Sequence, residues 1–471
     1  MLFIYIGSRI YFKEVDFLTS LVYSGWQILD IKWLESDLLK SLYYLHSQPP
    51  FYNLLIGIIV KISPQHYLVI ISILYLILSY FIYIMIFYIL NFFNIPKPLS
   101  FVFATIYILS PEAILYEHWI FYTWFNTFLI LLSLFLLIRY QESNSDIYLL
   151  LFFIDITILM LTRSMFHLIF LFGIVAILIL FNRVKWKRVL ILSLIPASIV
   201  ATLYMKNYIL FGFFGNSSWM GMNLSKVVKY ALIDSDIKTL LSMPYKKKQE
   251  KIDAKMDKLC KEHKLSLAMC KGEFLPLGLY DKEYQKDLPA QYKGIAVLQN
   301  KFKSTNNTNF NHYNYIKISK DMQKDSVKLI LNHPMSYINA VLTSLKNYIK
   351  PSWDYYFLQS NYIKIANLIS VYELFYIGGV IKKYGLLSTA IVALMSIFIL
   401  LYTIYLIYTD KNRAITAVYM VYIIYFVMII SIMFEIGELH RMRVMSNPLL
   451  FILGCATIFE SIRYIAKMVT R

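Results

Sequence analysis

Apolar residues along this chain come in long unbroken runs, not in the spaced stripes of a water-soluble helix. Runs near 68–91, 98–114, 120–139, 147–163, 165–182, 188–205, 385–408, 414–434 and 446–462 approach or exceed the roughly 17–25 residues that cross hydrocarbon. The pattern predicts an all-α polytopic membrane protein. Shorter patterns come first. Ile31 to Tyr44 carries Trp33, Leu34, Leu38, Leu39 and Leu42 at helical spacing against Glu35, Asp37 and Lys40, which predicts an amphipathic helix lying in the interface. Phe51 to Ile62 follows Pro49-Pro50 and is too short to cross, so it reads as a second interfacial helix. Met1 to Ile6 is apolar and shorter still. It reads as the tail of a first helix whose beginning is missing, and it lacks the features of a cleaved signal peptide.

One large polar block, 206–384, interrupts the apolar runs. Lys246-Lys247-Lys248-Gln249-Glu250-Lys251 reads as solvated helix, and Lys303 to Asn314, rich in Asn, as loop. Asn332-His333-Pro334 closes one element and opens another. The chain thus divides into 1–67, a partial first helix with an interfacial segment; 68–205, membrane helices; 206–384, an outer domain; and 385–471, C-terminal membrane helices. If 7–67 lies outside, the inner loops and tail hold Lys97, Arg139, Arg183, Lys185, Lys187, Arg188, Lys411, Arg413, Arg463, Lys467 and Arg471. The short outer turns then hold Arg163, Arg441 and Arg443. Cations favour the cytoplasmic side of short loops, and a loop as long as 206–384 escapes the rule.

Composition agrees. Of 471 residues 59% are hydrophobic and 16% charged, with mean hydropathy +0.57, where soluble domains carry about 25% charged residues. The net charge of +18 is spent beside apolar segments and in the outer block, so no nucleic-acid partner is expected. High Ile, Lys, Tyr and Asn with little Gly suggests a bacterial coding sequence, hence an inner (plasma) membrane. Cys260, Cys270 and Cys455 show no zinc or redox spacing. Cys260, His263 and Cys270 lack a fourth nearby ligand, and the two cysteines form either a disulfide or two free thiols.

Four polar clusters fall on one membrane face under this topology. The first holds Glu14, Asp16, Trp26, Gln27 and Asp30, then His46, Gln48 and Asn53 around the stiffening Pro49-Pro50. Plain helix capping by Asp30 and His46 would also explain it. The second is Glu117-His118-Trp119, either a costly acid and imidazole at membrane depth or an interfacial turn in an aromatic belt. The third is Arg163-Ser164 with His167; Arg163 either snorkels or holds a phosphate. The fourth is the densest: Glu435, Glu438, His440, Arg441 and Arg443, then Ser446-Asn447-Pro448. Membrane-edge ionisable residues are usually functional, and the planar arginine fork fits phosphate.

Sugar transfer from a lipid phosphate needs such a set. A carboxylate takes the acceptor's proton, and cations receive the departing phosphate. The same residues carry a resemblance. His46-Ser-Gln-Pro-Pro-Phe-Tyr-Asn53, Lys206-Asn-Tyr-Ile-Leu-Phe-Gly-Phe213 continuing to Gly221-Met-Asn-Leu224, Leu161-Thr-Arg-Ser164, and Glu438-Leu-His-Arg-Met-Arg443 with Asn447-Pro448 together resemble the GT-C class of membrane glycosyltransferases. The likeness is to dolichyl-phosphate-mannose protein mannosyltransferases and lipid A aminoarabinose transferases (glycosyltransferase family 39-like). It implies a bundle of about 9–10 transmembrane helices with interfacial helices and a mainly α outer domain. It also implies inverting transfer from a polyprenyl-phosphate sugar to a glycan, a lipid such as lipid A or lipopolysaccharide, or a protein, outside the cytoplasm. Asp30, or else Asp16, would be the base. Arg163, His440, Arg441 and Arg443 would receive the phosphate. His46, Gln48, Asn53, Glu117, His118, Asn223 and Glu438 would shape the sugar site. No cofactor is fixed by these residues, although the acids leave room for a divalent cation.

Two other classes compete. A flippase for lipid-linked saccharide would use Asp155 and Pro196 inside spans, and a non-enzymatic assembly protein would tolerate neutralisation of the outer clusters. All the enzymatic readings share one topological requirement. Reporter fusions after His46 and after Arg441 should report the same, extracytoplasmic, side; opposite sides would break the reading.

Overall fold

The computed structural model describes residues 1–181, 186–233, 245–375 and 386–469. Among them helices dominate and no strand forms; two isolated bridges, Leu18–Trp119 and Phe302–Thr308, are the only β-type pairings. The chain opens with α1 (Leu2–Tyr11), α2 (Ile31–Ser36), α3 (Leu38–Tyr43), α4 (Phe51–Ile62) and α5 (Tyr67–Phe92). Then come α6 (Lys97–Ile108), α7 (Pro111–Glu117), α8 (Tyr122–Ser143), α9 (Asp146–Thr162), α10 (Leu168–Phe181) and α11 (Trp186–Phe211). The polar block contains α12 (Met220–Ile233), α13 (Tyr245–His263), α14 (Asn314–Asn332) and α15 (Pro334–Tyr348). The chain ends in α16 (Leu386–Thr409), α17 (Lys411–Phe434), α18 (Leu439–Val444) and α19 (Asn447–Val469).

Five described helices, α5, α8, α11, α17 and α19, are long and apolar enough to cross a membrane. This makes the chain an integral membrane protein by length and composition. Against the nine or ten crossings expected, the described residues supply five, and local features account for part of the difference. The run at 98–114 breaks into α6 and α7, bent by 57°. Pro111 opens α7 and cannot donate back into α6, while the Ser110 hydroxyl accepts from the Ala113 N–H as a cap. Counted together, α6 and α7 make a sixth span. At 14 residues α10 falls short of a full crossing, while α9, at 17, stands at the lower limit of one.

The interfacial segment differs too. The helix expected over Ile31 to Tyr44 is two, because Asp37 leaves helical geometry and its carboxylate accepts from Lys40 N–H to start α3. Phe51–Ile62 is one helix, as the pattern predicts. The link at Asn332-His333-Pro334 separates α14 from α15 where expected. Helix α11 runs on past the expected boundary at 205, to Phe211.

The two halves interlock. Helix α9 packs between α8 and α11, and α10 packs on α11 and α17. In the polar block α12 lies against α14 and α15, and α15 rests on α17 and α18. The α12–α14 approach is close enough to demand glycine. A Cβ added to Gly221 would sit 1.7 Å from the Ser319 carbonyl oxygen, and the Gly221 N–H donates to Ser319 Oγ at 3.1 Å. Gly221→Ala should therefore destabilise the protein by about 1–3 kcal/mol. Gly278→Ala, with open space around the added carbon, should be near neutral. Thermal unfolding in detergent checks the pair.

Candidate functional site

A cavity of about 620 Å³ lies where the apolar helices meet the polar block. Its wall is built from four places in the chain: Arg163 after α9, the 211–218 loop after α11, Asn223 in α12, and Glu435 with Met442 around α17 and α18. Lys320 of α14 and the apolar Ile430 and Phe434 complete it.

Arg163 follows the last residue of α9 with extended backbone. Its side chain is 5% exposed. One guanidinium nitrogen faces the Met442 sulfur, and the group lies 5.0 Å over the Tyr122 ring. The other terminal nitrogen, Nη1, has no hydrogen-bond partner, and no carboxylate pairs with the group among the described residues.

Next to it Arg441 is buried at 3% exposure and paired with Glu438. Its guanidinium stacks among Phe121, Trp119, Tyr122 and Tyr355, at 4.9 to 6.0 Å. Tyr355 donates to the second Glu438 oxygen at 2.9 Å. Burial raises the Glu438 carboxyl, but Arg441 and then Lys226 outweigh it, and the group sits below the usual carboxylate range. Burial likewise lowers Arg441, and Glu438 more than restores it.

Glu435 follows α17. Its Oε1 accepts from the backbone of Ile436 and Gly437, both at 3.0 Å, and lies 3.7 Å from Lys226 Nζ. Among the described residues those contacts all fall on Oε1, not Oε2. The cavity lining carries Arg163, Lys320 and Glu435, while Arg441 and Lys226 pair with Glu438 and Glu435, so cations outnumber carboxylates here, which suits an anion.

The other predicted residues stand elsewhere. Asp30 caps α2 through Lys32 N–H at 3.0 Å and accepts from the Ser304 hydroxyl at 2.8 Å and from its N–H. Beside it, Lys303 donates to the carbonyls of Gly25 and Ile28 at 2.7 and 2.6 Å. Burial lowers Lys303 to about 8, against the pull of Asp30. Asn53 holds the same loop through Leu29 N–H and the Gln27 carbonyl. Asp16 is 73% exposed and paired with Lys364 at 2.5 Å. Neither aspartate lines the cavity.

Glu117 is fully buried against Arg9 at 2.7 Å, with the Tyr5 hydroxyl at 3.1 Å. His118 bonds the Ile114 carbonyl and faces Phe17. Arg443 donates to the carbonyls of Tyr348 and Lys350, at 2.9 and 2.8 Å. His440, lowered to about 4 by burial first and Arg443 second, stands edge-on to Tyr355. Gln48 is buried.

Sequence reasoning missed Arg9, Lys226, Lys303 and Tyr355, each defined by a partner far away in the chain. It also missed Glu112, which is buried and accepts from Ser352, Asn447 and Tyr107. Lys226, two residues beyond Gly221-Met-Asn-Leu224, was the one with a nearby signal. Among the described residues no group of three or more His, Cys, Asp or Glu comes together to hold a metal. Cys260 and Cys270 are joined as a disulfide. No family model, curated protein or solved structure matches this chain.

His46 shows what a buried imidazole does here. It is fully buried, with Nε2 2.8 Å from the Asn311 carbonyl and Nδ1 2.8 Å from the Ser218 hydroxyl. A carbonyl can only accept, so Nε2 carries the proton and Nδ1 accepts from Ser218. The ring thus positions the 217–218 wall of the cavity. Burial, partly offset by the Asn311 carbonyl, lowers it from 6.5 to about 3. The unfolded chain therefore takes the proton first as pH falls. The contribution of His46 to stability is intact above about 6.5 and lost downward to about 3, by up to about 1.4 kcal/mol per pH unit. Unfolding measured from about pH 4 to pH 7 should lose part of its slope in His46→Gln.

Proposed function

We propose that this chain is a membrane-embedded glycosyltransferase of the GT-C type. It would move a sugar from a polyprenyl-phosphate donor to an extracytoplasmic acceptor. The observation that carries the reading is Arg163, a buried guanidinium on a cavity wall with no carboxylate within ion-pair distance among the described residues. Leaving a buried charge unpaired costs about 3–5 kcal/mol. Stacking on one ring returns about 0.5–2 kcal/mol. A phosphate in the cavity would cancel the difference, and Arg441 stands beside it as a second acceptor of charge.

In the proposed step the acceptor hydroxyl attacks the anomeric carbon and the bond from that carbon to the phosphate oxygen breaks. The hydroxyl proton passes to a carboxylate, and the polyprenyl phosphate leaves with its new charge facing Arg163 and Arg441. The carboxylate that lines the cavity is Glu435, so the base is assigned to it in preference to Asp30 and Asp16. The apolar Ile430 and Phe434 give the donor's lipid a path between the helices. The Cys260–Cys270 disulfide supports an outer domain in an oxidising compartment.

A flippase reading keeps one observation in its favour: Asp155 on α9 is buried, with neither oxygen hydrogen-bonded. Vectorial movement of a lipid-linked sugar in vesicles without transfer, abolished in Asp155→Asn, would favour it.

The transfer reading is tested in proteoliposomes with a polyprenyl-phosphate sugar. Arg163→Ala should lower the rate about 10²–10³-fold, as loss of one charge-stabilising group does. Glu435→Gln should lower kcat about 10²–10⁴-fold. Asp16→Asn should transfer as the wild type does. Full activity in both Arg163→Ala and Glu435→Gln removes the proposed site.

A further inference from the structure

His263 is the last residue of α13, and His333 is the single residue between α14 and α15. They lie 70 positions apart, yet their Nε2 atoms stand 3.3 Å from each other. The two rings are nearly perpendicular, at 87°. Each element that presents them is braced. The disulfide ties Cys260, one turn before His263, to Cys270. Pro334 opens α15 directly after His333, and Lys328 of α14 donates to the His263 carbonyl at 2.6 Å.

A spacing of 3.3 Å is that of a long N–H···N bond between imidazoles, and equally that of two nitrogens sharing one ion. Two nitrogens bound to zinc at about 2.0–2.1 Å with a tetrahedral angle stand about 3.3–3.4 Å apart. Both rings are half-buried, so the remaining coordination positions face water.

We propose that His263 and His333 form a two-imidazole site for a borderline divalent cation of the zinc, nickel or copper class. Hard cations such as magnesium and calcium are excluded, since they take oxygen ligands. Among the described residues no third His, Cys, Asp or Glu joins the pair, so water or an external ligand completes the coordination. The ion clips the disulfide-braced end of α13 to the α14–α15 link and so ties that arm to helices resting on α17 and α18. The site is separate from the cavity and independent of the proposed transfer.

The test uses the full chain in detergent, without a polyhistidine tag and stripped of metal. Calorimetric titration with Zn(II) should show saturable binding of about one equivalent. His263→Gln and His333→Gln, on different elements, should each weaken it at least about tenfold. His66→Gln, at an exposed histidine elsewhere, should not. Electron paramagnetic resonance of the Cu(II)-loaded protein should show two imidazole nitrogens. A flat titration of protein with an intact thermal transition overturns the site. So does wild-type binding in both variants, or a spectrum with fewer than two nitrogens.

Discussion

A guanidinium cannot be taken out of water at the edge of a membrane without something returning its charge. Arg441 meets that demand within the fold, through Glu438 and a surround of aromatic rings. Arg9 meets it through Glu117. Arg163 does not, among the described residues, and its position on the cavity wall makes the missing charge a property of the site. The apolar spans place it there: α9 ends at Thr162, and the extended backbone at Arg163 turns its side chain between α8 and α18.

Most of the other polar residues at this membrane edge hold structure. Asp30, Asn53 and Lys303 saturate the backbone of one non-helical loop, 25–30, that would otherwise bury unpaired carbonyls and amides. His46 does the same for the 217–218 turn and Glu112 for the start of α19. Most of these contacts join segments hundreds of residues apart, and through them the polar block becomes part of the cavity wall. Chemistry and scaffold thus share one vocabulary of residue types, and only their partners tell them apart.

The sequence by itself determined the membrane class, most helix positions and the link at His333. Helical hydrogen bonds are local, and twenty apolar residues in a row leave a chain few ways to be solvated. It also singled out Arg163, Glu438 and Arg441, because charge at a span's end is visible in the sequence pattern. Tertiary structure decided the rest. The bend between α6 and α7 turned on whether Pro111 ended a helix or merely kinked it, and packing selected between them. Asp30 and Asp16 differ from Glu435 only in what surrounds them: one saturated by Ser304 and backbone, one at the surface with Lys364, one on the cavity wall. Burial and pairing are set by contacts between distant segments, and no local pattern encodes which carboxylate lines the cavity.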